Sequence, residues 1–229
     1  MSKKEKNEEQ LIDVEQTLSS WEKKIEQNKK SYGIVLGLII LVVAIYFAWA
    51  KLYVAPQEAR AQTLMFHAER YFAVDSLDKA LYGDGNYLGF NDIINEFGVT
   101  SSANLSHYYM GIGLLRKGEF EEAIKHLNKF SSNDHILSSV AIGAIGDAHA
   151  ELGNMSEAAD NYKKAARNNE DKFTAPIYLM RAGLAYESLG NYSDAENMYV
   201  KIKENYSETT EGREIEKYIA RSRAAQGIK

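Results

Sequence analysis

Gly111-x-x-Leu114-x-x-x-Gly118-x-x-x-x-Ala123-x-x-x-Leu127 recurs as Gly146-x-x-His149-x-x-x-Gly153-x-x-x-x-Ala158-x-x-x-Tyr162. It recurs again as Gly183-x-x-Tyr186-x-x-x-Gly190-x-x-x-x-Ala195-x-x-x-Tyr199. The internal offsets are identical, and the units start at positions 111, 146 and 183. Self-similarity at such a period marks a stack of small supersecondary units. Each unit reads as two helices. The first glycine lets the second helix approach closely. The second supplies a turn that needs φ > 0 or no side chain. The alanine is expected to fit beneath the aromatic of the first helix. Ser193-x-x-Glu196 reads as a capping box for one second helix.

These residues resemble the tetratricopeptide repeat, whose order of small residue, aromatic, turn glycine, alanine and aromatic is met three times. The terminal proline of that repeat is missing here. The resemblance implies an all-α, TPR-like α-solenoid of helical hairpins, with three repeats over residues 104–208. Residues 209–229 read as a C-terminal capping helix, with Ile215, Tyr218 and Ile219 on one face. A solenoid end requires such a cover.

Upstream, residues 54–103 read as a divergent first hairpin. Its first helix is expected from Gln57 to about Val74, with Ala61, Leu64, Met65, Ala68, Tyr71 and Phe72 as the apolar stripe. Its second is expected from about Leu88 to Phe97, closed by Gly98. Between them, Asp75-Ser76-Leu77 resembles an O-glycosylation acceptor signal of some bacteria with elaborate envelopes. A three-residue pattern also arises by chance.

Gly33 to Ala50 is an unbroken run without a charge. At about 1.5 Å per residue it reaches roughly 27 Å as a helix, close to a bilayer's hydrocarbon thickness. Lys29, Lys30 and Lys51 bound it, and Tyr32, Trp49 and Tyr53 sit where interfacial aromatics belong. Residues 31–53 are therefore expected to be a single transmembrane helix. A cleaved signal peptide would have a shorter core and a short basic leader. Residues 1–30 carry seven lysines, whereas the stretch from Lys51 to Arg70 carries only those two bases and Arg60. That bias puts the N-terminus in the cytoplasm and the repeats outside, in the periplasm of a bacterial inner membrane.

The tail, residues 1–30, has Leu11, Val14, Leu18, Trp21 and Ile25 at heptad spacing. It reads as an amphipathic helix lying on the membrane, or as a docking or dimerisation helix. The tail's acids and bases balance, so the net charge of −5 lies beyond it. A mildly acidic domain without a basic cluster argues against nucleic acid. There is no cysteine, which excludes disulfides and thiol chemistry. The five histidines show no helical zinc spacing and no HExxH. They read as packed or edge residues. No catalytic, cofactor or metal constellation is evident, and no enzyme activity is expected. Asn104, Asn154, Asn191 and Asn205 each begin an Asn-x-Ser triplet. In the repeat turns, asparagine is expected to shape the turn and serine to cap the next helix.

Such solenoids bind along their concave side. Counting along each first helix, groove positions are Tyr108, Ile112, Leu115 and Arg116, then Gly143, Asp147, Ala150 and Glu151, then Met180, Leu184, Glu187 and Ser188. This face is apolar and slightly acidic, which suits an extended or helical apolar peptide. The same residues could instead be covered by the closing helix or the first hairpin.

The layout of a lysine-flanked anchor joined to a short extracytoplasmic repeat domain resembles the YfgM family of bacterial envelope proteins. That resemblance implies an ancillary subunit of the Sec translocon, working beside a periplasmic chaperone and exported chains. A membrane-anchored scaffold or chaperone-adaptor is therefore the expected function. The alternative is an oligomerising structural scaffold of the envelope, a homo-oligomer using tail and anchor.

Overall fold

The computed structural model describes residues 28–227, and the heptad seam of the tail lies outside them. No strand occurs among the described residues. The chain divides into two compact units, Met1–Pro56 and Gln57–Lys229.

The described part of the first unit is helix α1 (Lys29–Trp49), followed by a π-helical segment, Ala50–Val54. None of the residues of α1 is buried. Apolar side chains point outward all round, as on Ile34, Leu38, Val42 and Phe47. A helix that is apolar on every face is stable only in apolar surroundings. Among the described residues, one helix near the N-terminus is long and apolar enough to cross a membrane.

The second unit holds α2 (Ala55–Ala73) from Gln57 onward, then α3 (Leu77–Tyr82), α4 (Phe90–Glu96), α5 (Ser101–Lys117), α6 (Phe120–Lys129), α7 (His135–Glu151), α8 (Met155–Asn168), α9 (Ala175–Ser188), α10 (Tyr192–Asn205) and α11 (Thr210–Ala225). Successive helices from α4 to α11 pack on one another in chain order. Three pairs, α5/α6, α7/α8 and α9/α10, are built alike. Their turns use Gly118, Gly153 and Gly190, with φ of 80°, 80° and 72°. Side chains rarely adopt that conformation.

The close approach inside each pair has one device. A Cβ at Gly111 would stand 2.4 Å from Leu127, at Gly146 2.7 Å from the Tyr162 ring, and at Gly183 2.3 Å from the Tyr199 ring. The side chain over each glycine thus comes from the second helix. This differs from the expectation of an alanine lying beneath a first-helix aromatic. Ala123, Ala158 and Ala195 are fully buried beside these sockets.

Four local expectations are corrected. A short helix, α3, lies between the two expected helices, and Asp75 turns the chain into it at φ 58°. Gly98 is not left-handed; α4 ends on Phe97 at φ −124°. The cap of α10 is Asn191, whose side chain accepts from Asp194 N–H, so Ser193 lies inside the helix. Likewise Asn154, not Ser156, stands at the start of α8.

The core has three patches. One joins α2 to α6 through Met65, Leu81, Phe90, Ile93 and Leu114. A second, around Leu127, Ala144 and Ile145, joins α5 and α6 to α7. The third runs from α8 to Ile215 and Ile219 of α11. A polar tie adds to the first. Ser102 of α5 donates its hydroxyl at 2.8 Å and its N–H at 3.2 Å to the carboxylate of Glu58 on α2.

Candidate functional site

The first helices of the three pairs line up so that Asp147 on α7 faces Arg181 on α9. Arg181 Nη1 donates to Asp147 Oδ2 at 2.7 Å. Tyr162, from α8, donates its hydroxyl to Asp147 Oδ1 at 2.8 Å. The guanidinium carbon lies 6.0 Å from the Tyr162 ring centroid and 5.8 Å from that of Tyr178. Both rings are within cation–π range. Burial pushes the Tyr162 phenol up, and its bond to Asp147 pushes further. Burial also carries Tyr178 up to about 12. Both phenols therefore stay neutral donors at physiological pH.

Two concavities open on either side of this ion pair. One, of about 470 Å³, is lined by Leu115, Arg116, Phe120, Ala150, Glu151 and Arg181, among others. The other, of about 290 Å³, is more apolar, with Ala150, Met155, Tyr162, Leu184 and Ala185 around it and Ser188 beside them. Of the residues expected in the groove, Leu115, Arg116, Asp147, Ala150, Glu151, Leu184 and Ser188 thus gather around one feature. Leu184 is 41% exposed.

The other expected groove residues lie elsewhere. Tyr108 and Ile112 pack against the patch around Leu127, with Tyr108 5.3 Å from the Phe130 ring. Gly143 is buried, because a Cβ there would meet the Tyr178 ring at 2.0 Å. Met180 is partly buried against the third patch. Glu187, with a side chain 13% exposed, is taken by the closing helix α11. It accepts from Arg221 Nε and from the Ser222 hydroxyl, each at 3.1 Å. Counting along one helix missed Arg181, Tyr162 and Met155. Arg181 lies three residues before Leu184 on α9, so the helical period alone could have found it.

A third concavity, of about 540 Å³, carries Lys163, Arg167, Lys172 and Lys201 with Glu170 and Glu204. Two of its lysines are engaged. Lys163 bonds Tyr186 and Asp160, and Lys172 pairs with Glu208. His107 and His126, expected as packed or edge residues, meet across α5 and α6 with Nδ1 atoms 3.0 Å apart. Among the described residues, no three metal-ligating side chains converge.

The Asp147–Arg181 site can seat an apolar side chain beside a charge pair and a row of neutral hydroxyls. Two stretches of the chain match tetratricopeptide repeat family models, residues 141–172 and 178–209. No curated protein matches by sequence. Among solved structures, one described as the crystal structure of MamA protein superposes with a TM-score of 0.57 at 17% identity. That match covers 73% of this chain and 83% of the other, and shows a shared fold. Arrays of this kind are typically protein-binding scaffolds with an extended concave surface. The Asp147–Arg181 site lies within the matched stretches and the pair before them, and those two stretches are similar to tetratricopeptide repeats.

Proposed function

We propose that this protein is a single-pass, membrane-anchored scaffold whose repeat domain stands outside the cytoplasm and captures segments of other proteins. The observation that carries the reading is the pair of concavities beside Asp147 and Arg181, one of them apolar. An apolar anchor residue of a partner enters beside Leu184 and Met155, and the ion pair fixes its polar flank. The uncharged core of helix α1 and the lysine excess before it support the anchor and its orientation. Tethering adds a second contribution. A site confined to a membrane meets membrane-proximal partners at raised effective concentration. Exported chains and translocon subunits are the partners this reading favours, following the layout resemblance to the YfgM family.

The test is photocrosslinking from position 184 in intact membranes, followed by mass spectrometry. Crosslinks to exported chains or translocon subunits support the reading. Leu184→Glu should weaken partner capture at least tenfold with an unchanged circular dichroism spectrum. Unaltered capture by that variant would remove the groove from the mechanism.

A further inference from the structure

Five sequence patterns in the repeat-bearing unit have the form of a sugar acceptor, and the structure treats them differently. The Asn104 side chain is bonded at both ends to the main chain of Ser131, at 2.8 and 3.0 Å. Asn191 is engaged with Asp194, and Asn205 donates to the Lys201 carbonyl. The residues after Asn154 are already helical. Asn104, Asn191 and Asn205 are thus engaged by the chain around them, while Asn154 stands at the N-cap of α8 without a side-chain cap bond. Asp75-Ser76-Leu77 is different. It runs from the turn after α2 into the first residue of α3, with Asp75 exposed and Ser76 and Leu77 half-buried. Ser76 stands at the N-cap of α3, where a serine hydroxyl ordinarily accepts from the first turn. Here it makes no such bond. Its main chain is nevertheless fixed, with Ser76 N–H on the Tyr71 carbonyl at 2.9 Å. Asp75 has the one left-handed backbone among the described non-glycine residues, at φ 58°. Its carboxylate is 77% exposed and held by Arg116 no closer than 3.6 Å.

We infer that Ser76 is the attachment site of an O-linked glycan, with the exposed Asp75 carboxylate as the feature a transferase reads. The inference rests on the extracytoplasmic placement proposed above. The donor is a glycan activated on a polyprenyl phosphate or diphosphate outside the membrane. Ser76 Oγ attacks the anomeric carbon and forms a new C–O bond. The bond from that carbon to the phosphate oxygen breaks, and the phosphate leaves with the electron pair. The hydroxyl proton passes to a base of the transferase, and nothing is oxidised or reduced. A hydroxyl without a capping bond, on an ordered turn, suits this step, since the acceptor need not give up a native cap to react.

The full chain is purified from its own cells and digested with trypsin, which releases residues 71–79 as one peptide. A hexose-containing mass increment on that peptide is expected. Ser76→Ala and Asp75→Asn should both abolish it, and Ser76→Thr should retain it. Loss in Asp75→Asn is informative because that variant leaves the hydroxyl untouched. Protease added to intact spheroplasts reads the location separately. If protease reaches the repeats and the peptide is bare, the glycan site is overturned while the placement stands. If the repeats are protected, both fall. Because Ser76 makes no capping bond, Ser76→Ala should fold normally, which circular dichroism verifies.

Discussion

Asp147 and Arg181 are joined across two repeats by a bond of 2.7 Å, and the same carboxylate accepts from Tyr162. The ion pair is partly exposed and by itself contributes about 0–1 kcal/mol. Tyr162 is buried, so removing the acceptor of its phenol costs about 1–3 kcal/mol more. Asp147→Leu should therefore lower unfolding free energy by about 2 kcal/mol in urea titration. Adding Tyr162→Phe should recover part of the loss, as a double-mutant cycle would read.

The glycine sockets make a sharper prediction. Gly183→Ala would put a methyl 2.3 Å from the Tyr199 ring. Tyr199 is itself fully buried, so the clash has little room to relax. Overpacking of this kind costs about 1–3 kcal/mol. Gly85→Ala meets open space but sits at φ 88°. Its cost is backbone strain alone, about 1–2 kcal/mol. Combining Gly183→Ala with Tyr199→Leu should relieve the first defect and not the second, as thermal melts would show.

The histidine pair gives a pH dependence. Burial, the neighbouring His126 and Lys129 together hold His107 at about 4, below the ordinary 6.5. Burial and Lys129 also lower His126, against the opposing pull of Glu122. The unfolded chain therefore binds these protons more readily than the folded one. The pair's contribution is complete above the ordinary 6.5 and is lost as pH falls toward about 4. The melting temperature should drop as pH is lowered through that window, and His107→Gln should flatten the drop.

Glu187 anchors α11, and its removal tests that role. Glu187→Ala leaves the hydroxyl of fully buried Ser222 without its Glu187 acceptor and frees Arg221. Amides of Thr210–Ala225 should exchange at least tenfold faster, while those of α7 stay protected. Equal acceleration in both helices would show that Glu187 supports the array as a whole.

How far the sequence spoke depended on the range of each interaction. Gly118, Gly153 and Gly190 were readable as turns because a positive φ is a local requirement. Gly111, Gly146 and Gly183 were readable as close-approach points because three copies repeat one spacing. The cap of α10 was misplaced by two positions, since both Asn191 and Ser193 can accept a first-turn N–H. Helix α3, Leu77–Tyr82, is too short for periodicity to reveal. In the groove, helical counting named Asp147 and Leu184, which line the same concavity. It could not know that α11 takes Glu187, that Tyr178 fills the space at Gly143, or that His107 faces His126. Each of those depends on a partner far away in the chain.

The glycine sockets have a consequence for how such a chain can change. Leu127, Tyr162 and Tyr199 complete the same joint with Gly111, Gly146 and Gly183, so each hairpin carries its own fastening. A unit spliced in or excised at a hairpin boundary would bring or remove a whole joint and leave the glycine joints of the other hairpins intact. The length of the binding surface is then adjustable by gene duplication in steps of one hairpin, provided that α11 remains last.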